Sequence, residues 1–77
     1  MSSRLPRVTG IDVVATLRRS GFAIEYIKGS HFHLIDPSDN SRQTIVPVHP
    51  GKIIKPKTLK SILDKTKLTP DELRNML

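Results

Sequence analysis

The chain has 77 residues, 13 Lys and Arg against 7 Asp and Glu for a formal charge of +6, and no cysteine. That length accommodates one domain, residues 1–77, and the missing cysteine removes disulfide frameworks, thiolate metal sites, iron–sulfur clusters and a cysteine nucleophile together. Its apolar runs are too short for a membrane span or a signal-peptide core, so a soluble, cytoplasmic protein is expected, with a cationic body that attracts nucleic acid or an acidic protein.

Residues 1–7 read as a short, loosely packed polar leader. Thr9 followed by Asp12 resembles a helix-capping pair, and Ile11, Val14, Ala15 and Arg18 recur at helical spacing beside Val13 and Leu17. Gly21 stops that helix, which spans about residues 10–20. Residues 22–28 are rich in β-branched and aromatic side chains and run into a Gly29-Ser30 turn. A second strand over residues 31–36 sets Phe32 and Leu34 on one face and His31, His33 and Ile35 on the other. Residues 37–41 form a dense turn signal. A third strand over residues 42–48 carries Pro47 near its end, which places it at a sheet edge or has it pair on one side only there.

After the His49-Pro50-Gly51-Lys52 turn, Leu59, Ile62, Leu63 and Thr66 form the apolar stripe of a second helix, with Lys57, Lys60, Lys65 and Lys67 mostly off it. Thr69, Pro70 and Glu72 start a short terminal helix. The expected fold is α+β: an α-β-β-β-α order with a three-stranded antiparallel sheet, helices on one face, and an extra C-terminal helix. This is the architecture of double-stranded-RNA-binding domains.

The candidate chemistry lies at Lys28-Gly29-Ser30-His31. Backbone N–H groups of the turn can receive a phosphate oxygen, Lys28 can neutralise it, and an imidazole titrates near neutrality. His33 projects from the same face about 6–7 Å away, which suits two-imidazole acid–base cleavage of RNA. RNA supplies its own 2′-hydroxyl nucleophile, so neither metal nor cofactor is required. A metal site from His31 and His33 with Asp36 or His49 is a weaker alternative, lacking a second ligand motif. Lys52, Lys55, Lys57, Lys60, Lys65 and Lys67, with the start of the second helix, form a phosphate-binding surface, or equally a solvated helix face. Tyr26, Phe22 and Phe32 are the only aromatics, with Phe32 assigned to the core, which argues against a stacking platform for single strands.

Several blocks together resemble the HicA-type toxins: Leu5-Pro6-Arg7-Val8-Thr9-Gly10, Ser20-Gly21-Phe22, Lys28-Gly29-Ser30-His31, Val46-Pro47-Val48-His49-Pro50, and Lys55-Pro56-Lys57-Thr58-Leu59-Lys60-Ser61-Ile62-Leu63. The resemblance implies a ribonuclease toxin of a type II toxin–antitoxin pair that cleaves messenger RNA without a required metal, stops translation and growth, and is neutralised by a HicB-type antitoxin. It implies His31 as the catalytic histidine and leaves its partner open among Lys28, Ser30 and His49, since His33 is not a general family requirement. Phosphate or RNA contacts are expected at Lys28, Gly29, Ser30, His33, His49, Lys52, Lys55, Lys57 and Lys60. The competing readings are a non-catalytic RNA-binding module and a protein-interaction domain with a basic face.

Overall fold

The computed structural model describes residues 5–77. Its elements follow the order α1 (Gly10–Arg19), β1 (Ala23–Lys28), β2 (His31–Asp36), β3 (Asp39–Pro47), α2 (Pro56–Thr66) and α3 (Pro70–Met76). The strands form one antiparallel sheet in the order β1-β2-β3. α1 packs on all three strands, α2 on β3, and α3 on α1. The helices therefore share one sheet face, as the α+β reading requires, and β3 with Pro47 lies at an edge.

Both capping boxes form. Thr9 Oγ1 accepts from the Asp12 amide while Asp12 accepts from the Thr9 amide, each at 3.2 Å. Thr69 and Glu72 repeat the arrangement at the start of α3. Each pair satisfies two N–H groups that the first helical turn leaves open. Gly21, with φ 105°, turns the chain out of α1 after Ser20.

The buried face of α1 is Gly10, Val13, Val14 and Leu17 together with Thr16. This is one position earlier than the stripe read from Ile11, which is 54% exposed, and Ala15 and Arg18 are exposed as well. The offset follows from Gly10. A β-carbon there would lie 2.2 Å from the Pro47 carbonyl oxygen and 2.9 Å from Val48 Cα, so the helix start touches the end of β3 backbone to backbone, which turns the Val13 and Leu17 side chains into the core. The residues before the helix are fastened to the same region by a bridge from Thr9 to Ile53 and by the Ile54 amide donating to Val8 oxygen at 2.8 Å. Of the expected loose leader, residues 1–4 lie outside the described residues, whereas Leu5 packs against the core.

The core centres on Val13, Leu17, Leu34, Val46, Leu59, Ile62 and Leu73. The α2 stripe is buried throughout, and Lys57, Lys60, Lys65 and Lys67 are exposed. Phe32 is partly buried against this core.

The turn after β2 is tighter than its polar run of residues 37–41 suggests: Asp39 already pairs with Asp36, and β3 begins there. Asp36 Oδ1 accepts from the Ser38 amide and hydroxyl, and Asp39 Oδ1 accepts from those of Ser41. These side-chain bonds hold a bulged hairpin end rather than a separate loop, with a register shift between Ile35 and Asp36. The Ser38 bonds hold the Asp36 carboxyl below the ordinary aspartate range, helped by Arg42 and opposed by burial. The Ser41 bonds do the same for Asp39, with Lys67 and Arg42 adding to them. Arg42 also donates from Nε to Thr66 oxygen at 2.7 Å and from a terminal nitrogen to Asp36 at 3.0 Å, tying the end of α2 to the hairpin.

Candidate active site

The helix-free face of the sheet carries the residues singled out for chemistry. Gly29, with φ 59°, fills the first position of a two-residue hairpin turn that only glycine enters without strain. The turn closes so that Lys28 and His31 are register partners, both exposed. On its other side His31 pairs with Pro47, and the Ser30 carbonyl accepts from the Val48 amide at 2.7 Å. The turn is thereby anchored to the end of β3.

His33 lies two residues along the same face, between Tyr26 on β1 and Ile45 on β3. β1 bulges between Ile24 and Tyr26. The extra residue, Glu25, brings its carboxylate onto the face that Tyr26 occupies, because a bulge re-aims the side chains beside it. Glu25 Oε1 approaches His33 Nδ1 at 2.7 Å, off the axis that an aligned N–H donor would need, which makes the contact an ion pair whenever the imidazole is protonated. The Tyr26 ring covers the imidazole, with centroids 4.8 Å apart and planes 27° from parallel. His33 is consequently mostly covered, with 13% of its side chain exposed.

Tyr26, Lys28, His31, His33 and Ile45 line an open hollow of about 340 Å³. A second hollow, about 290 Å³, is lined by Pro47, His49, Lys52, Ile53, Lys55 and Thr58 among others. Pro47 lines this second hollow and is the register partner of His31, which lines the first. His49 and Lys52 are held by a turn in which the Lys52 amide donates to His49 oxygen at 3.0 Å and Gly51 takes φ 74°. The structure therefore divides the expected binding residues. Lys28 and His33 share the first hollow with His31, at the end of the Gly29-Ser30 turn. His49, Lys52 and Lys55 share the second. Lys57 and Lys60 lie on the exposed side of α2 and line neither.

The grouping of His31, His33 and Asp36 does not form. Alternation along β2 sends Asp36 to the helix-covered face, where it meets Arg42 and Ser38. Among the described residues no three His, Cys, Asp or Glu side chains gather as a metal-binding group, and no helix is long and apolar enough to cross a membrane.

Two residues that line the first hollow, Tyr26 and Ile45, and one beside it, Glu25 against His33, have no site role in the sequence reading. Tyr26 carried a usable signal, since it stands two positions before Lys28 on one strand and so shares its face. Glu25 carried none, because strict alternation points it away from His33 and only the bulge reverses that.

A comparison with curated proteins returns no match. Residues 10–68 match the family described as HicA toxin of bacterial toxin-antitoxin. The matched span runs from the glycine that seats α1 on β3 to Leu68, two residues past the end of α2, and includes both hollows. With 59 of 77 residues matched, the chain belongs to the HicA toxin family of bacterial toxin–antitoxin systems.

Proposed function

We propose that this toxin is an RNA endonuclease that cleaves messenger RNA, stops translation and growth, and is neutralised by a HicB-type antitoxin, the 77-residue chain acting as one cytoplasmic domain. The observation that carries the reading is the Lys28–His31 register pair, both side chains exposed at the rim of one hollow.

His31 is the acid–base group. Its imidazole takes the proton from a ribose 2′-hydroxyl as that oxygen attacks the adjacent phosphorus and the bond to the 5′-oxygen breaks. The leaving 5′-oxygen gains a proton from an acid that is Lys28, Ser30, His49 or water. Lys28 and the backbone N–H groups at Gly29 and Ser30 offset the charge gathering on the phosphoryl oxygens. The products are a 2′,3′-cyclic phosphate and a 5′-hydroxyl. His49, Lys52 and Lys55 receive the strand on the Pro47 side, and Lys57 and Lys60 extend the cationic surface along α2. This route uses neither a metal nor a cofactor, because the substrate brings its own nucleophile.

The test is RNA cleavage by purified protein in EDTA, native against His31→Ala. The native chain is expected to cut and leave cyclic phosphate ends, with the variant losing about 10²–10⁴-fold in rate at unchanged far-UV circular dichroism. Full activity in His31→Ala, or 5′-phosphate ends, would overturn the mechanism. Tight, salt-sensitive binding of RNA that stays uncut would favour a toxin that acts by occupancy.

A further inference from the structure

We propose that Tyr26 is a stacking platform for one unpaired nucleobase of the RNA beside the phosphate that is cut, so that the site takes a single-stranded segment rather than a duplex. This rests on the ribonuclease reading and adds a substrate class and a binding residue to it.

The argument begins with the ring's environment. One side of Tyr26 is covered by the His33 imidazole, yet the residue is 52% exposed. Large aromatic surface is ordinarily buried, and leaving half of it in water forgoes the stabilisation that burial brings. The ring is also braced, since His33 beneath it is flanked by the Glu25 carboxylate. A braced aromatic loses little freedom when a base settles on it.

Location narrows the occupant. Tyr26 lines the same hollow as Lys28 and His31, and Ile45, 50% exposed, offers an apolar side to it. A phosphate at Lys28 and His31 therefore brings its neighbouring base over the tyrosine. Every base has a π-face, so a lone aromatic beside cations binds single strands with little sequence preference. Bases within an A-form duplex present edges and 2′-hydroxyls but not free faces. The double-stranded-RNA-binding-like fold thus carries, on its open sheet face, a site for an unstacked strand. The scarcity of aromatics, which argued against an extended stacking platform, leaves room for this single ring because it stands exposed beside Lys28 and His31.

Tyr26 is the only tyrosine in a chain without tryptophan, so the protein's intrinsic fluorescence reports on this ring alone. The experiment titrates His31→Ala with a short single-stranded RNA and follows tyrosine emission, while the anisotropy of a labelled copy of the RNA gives affinity. Emission is expected to fall in step with binding. An abasic ribose-phosphate chain of equal length binds without quenching, and a duplex of the same sequence quenches little. Tyr26→Leu, which keeps apolar bulk but removes the ring, weakens single-strand binding about tenfold, and Tyr26→Phe restores it.

Binding without quenching, or native affinity in Tyr26→Leu, would overturn the stacking site. If the native chain cuts RNA while Tyr26→Leu cuts with unchanged KM, the stacking site falls and the ribonuclease reading stands. If the native chain neither binds nor cuts RNA at low salt, both fall.

Discussion

Replacing Gly10 with alanine sets helix propensity against crowding. In an ordinary exposed helical position that change gains up to about 1 kcal/mol. Here the added carbon would lie 2.2 Å from the Pro47 oxygen, where ordinary contact begins at 3.4 Å, so the strand or the helix must retreat by roughly 1.2 Å. The obstacle is backbone rather than a flexible side chain, and it is held from the far side by the Val48 amide bonded to Ser30 and by the Pro47–His31 pairing. Overpacking a tight core costs about 1–3 kcal/mol. With little room to relax, the upper part of that range applies, leaving a net loss of about 2 kcal/mol. For a chain of this size the midpoint of thermal unfolding should fall by about 8–16 °C. Circular dichroism melts of native and Gly10→Ala protein measure this directly. A second readout follows from Pro47, which lines the second hollow and is the register partner of His31: under the proposed ribonuclease reading, RNA cleavage should drop at a temperature where the variant is still folded. A Gly10→Ala protein as stable as the native chain, or more so, would refute the account of how α1 meets β3.

Two further predictions concern the caps and the hairpin end. Thr9→Ala and Thr69→Ala should each cost about 1 kcal/mol in urea unfolding, and the two losses should add, because the caps share no partners. The lowered carboxyls of Asp36 and Asp39 make a stabilising contribution that is complete above the ordinary aspartate value of 3.8 and is lost as pH falls below it through their folded values. Acid titration of stability should therefore steepen below that pH, and Asp39→Asn should flatten the slope without altering stability at neutral pH as much as Asp36→Asn, whose partner Arg42 also holds α2.

How far the sequence could be read depended on whether a feature was local. The capping pairs, the ends of β2 and the apolar stripe of α2 are set by neighbours within a few positions, and they stand where the pattern puts them. The Gly29-Ser30 turn with its flanking Lys28 and His31 is equally local. The α1 stripe was off by one residue because its true first member is a glycine, whose role lies in the backbone it touches and not in hydropathy. The early start of β3 was hidden because Asp39, Asn40 and Ser41 read as loop formers, whereas Asp39 and Ser41 bond each other inside a paired hairpin end. The lysines looked like one cluster. Only the path of the chain through Pro47 and the turn at Gly51 sorts Lys52 and Lys55 from Lys57 and Lys60.

The extra residue in β1 has a consequence beyond the hollow. β1 is an outer strand whose surface is almost wholly exposed, and a straight edge of that kind offers unpaired N–H and C=O groups to any other extended chain. By breaking the spacing of the ladder at Glu25, the bulge spoils that edge as a template for another strand. One inserted residue thus turns a carboxylate inward toward His33 and makes the sheet a poor seed for strand-by-strand aggregation.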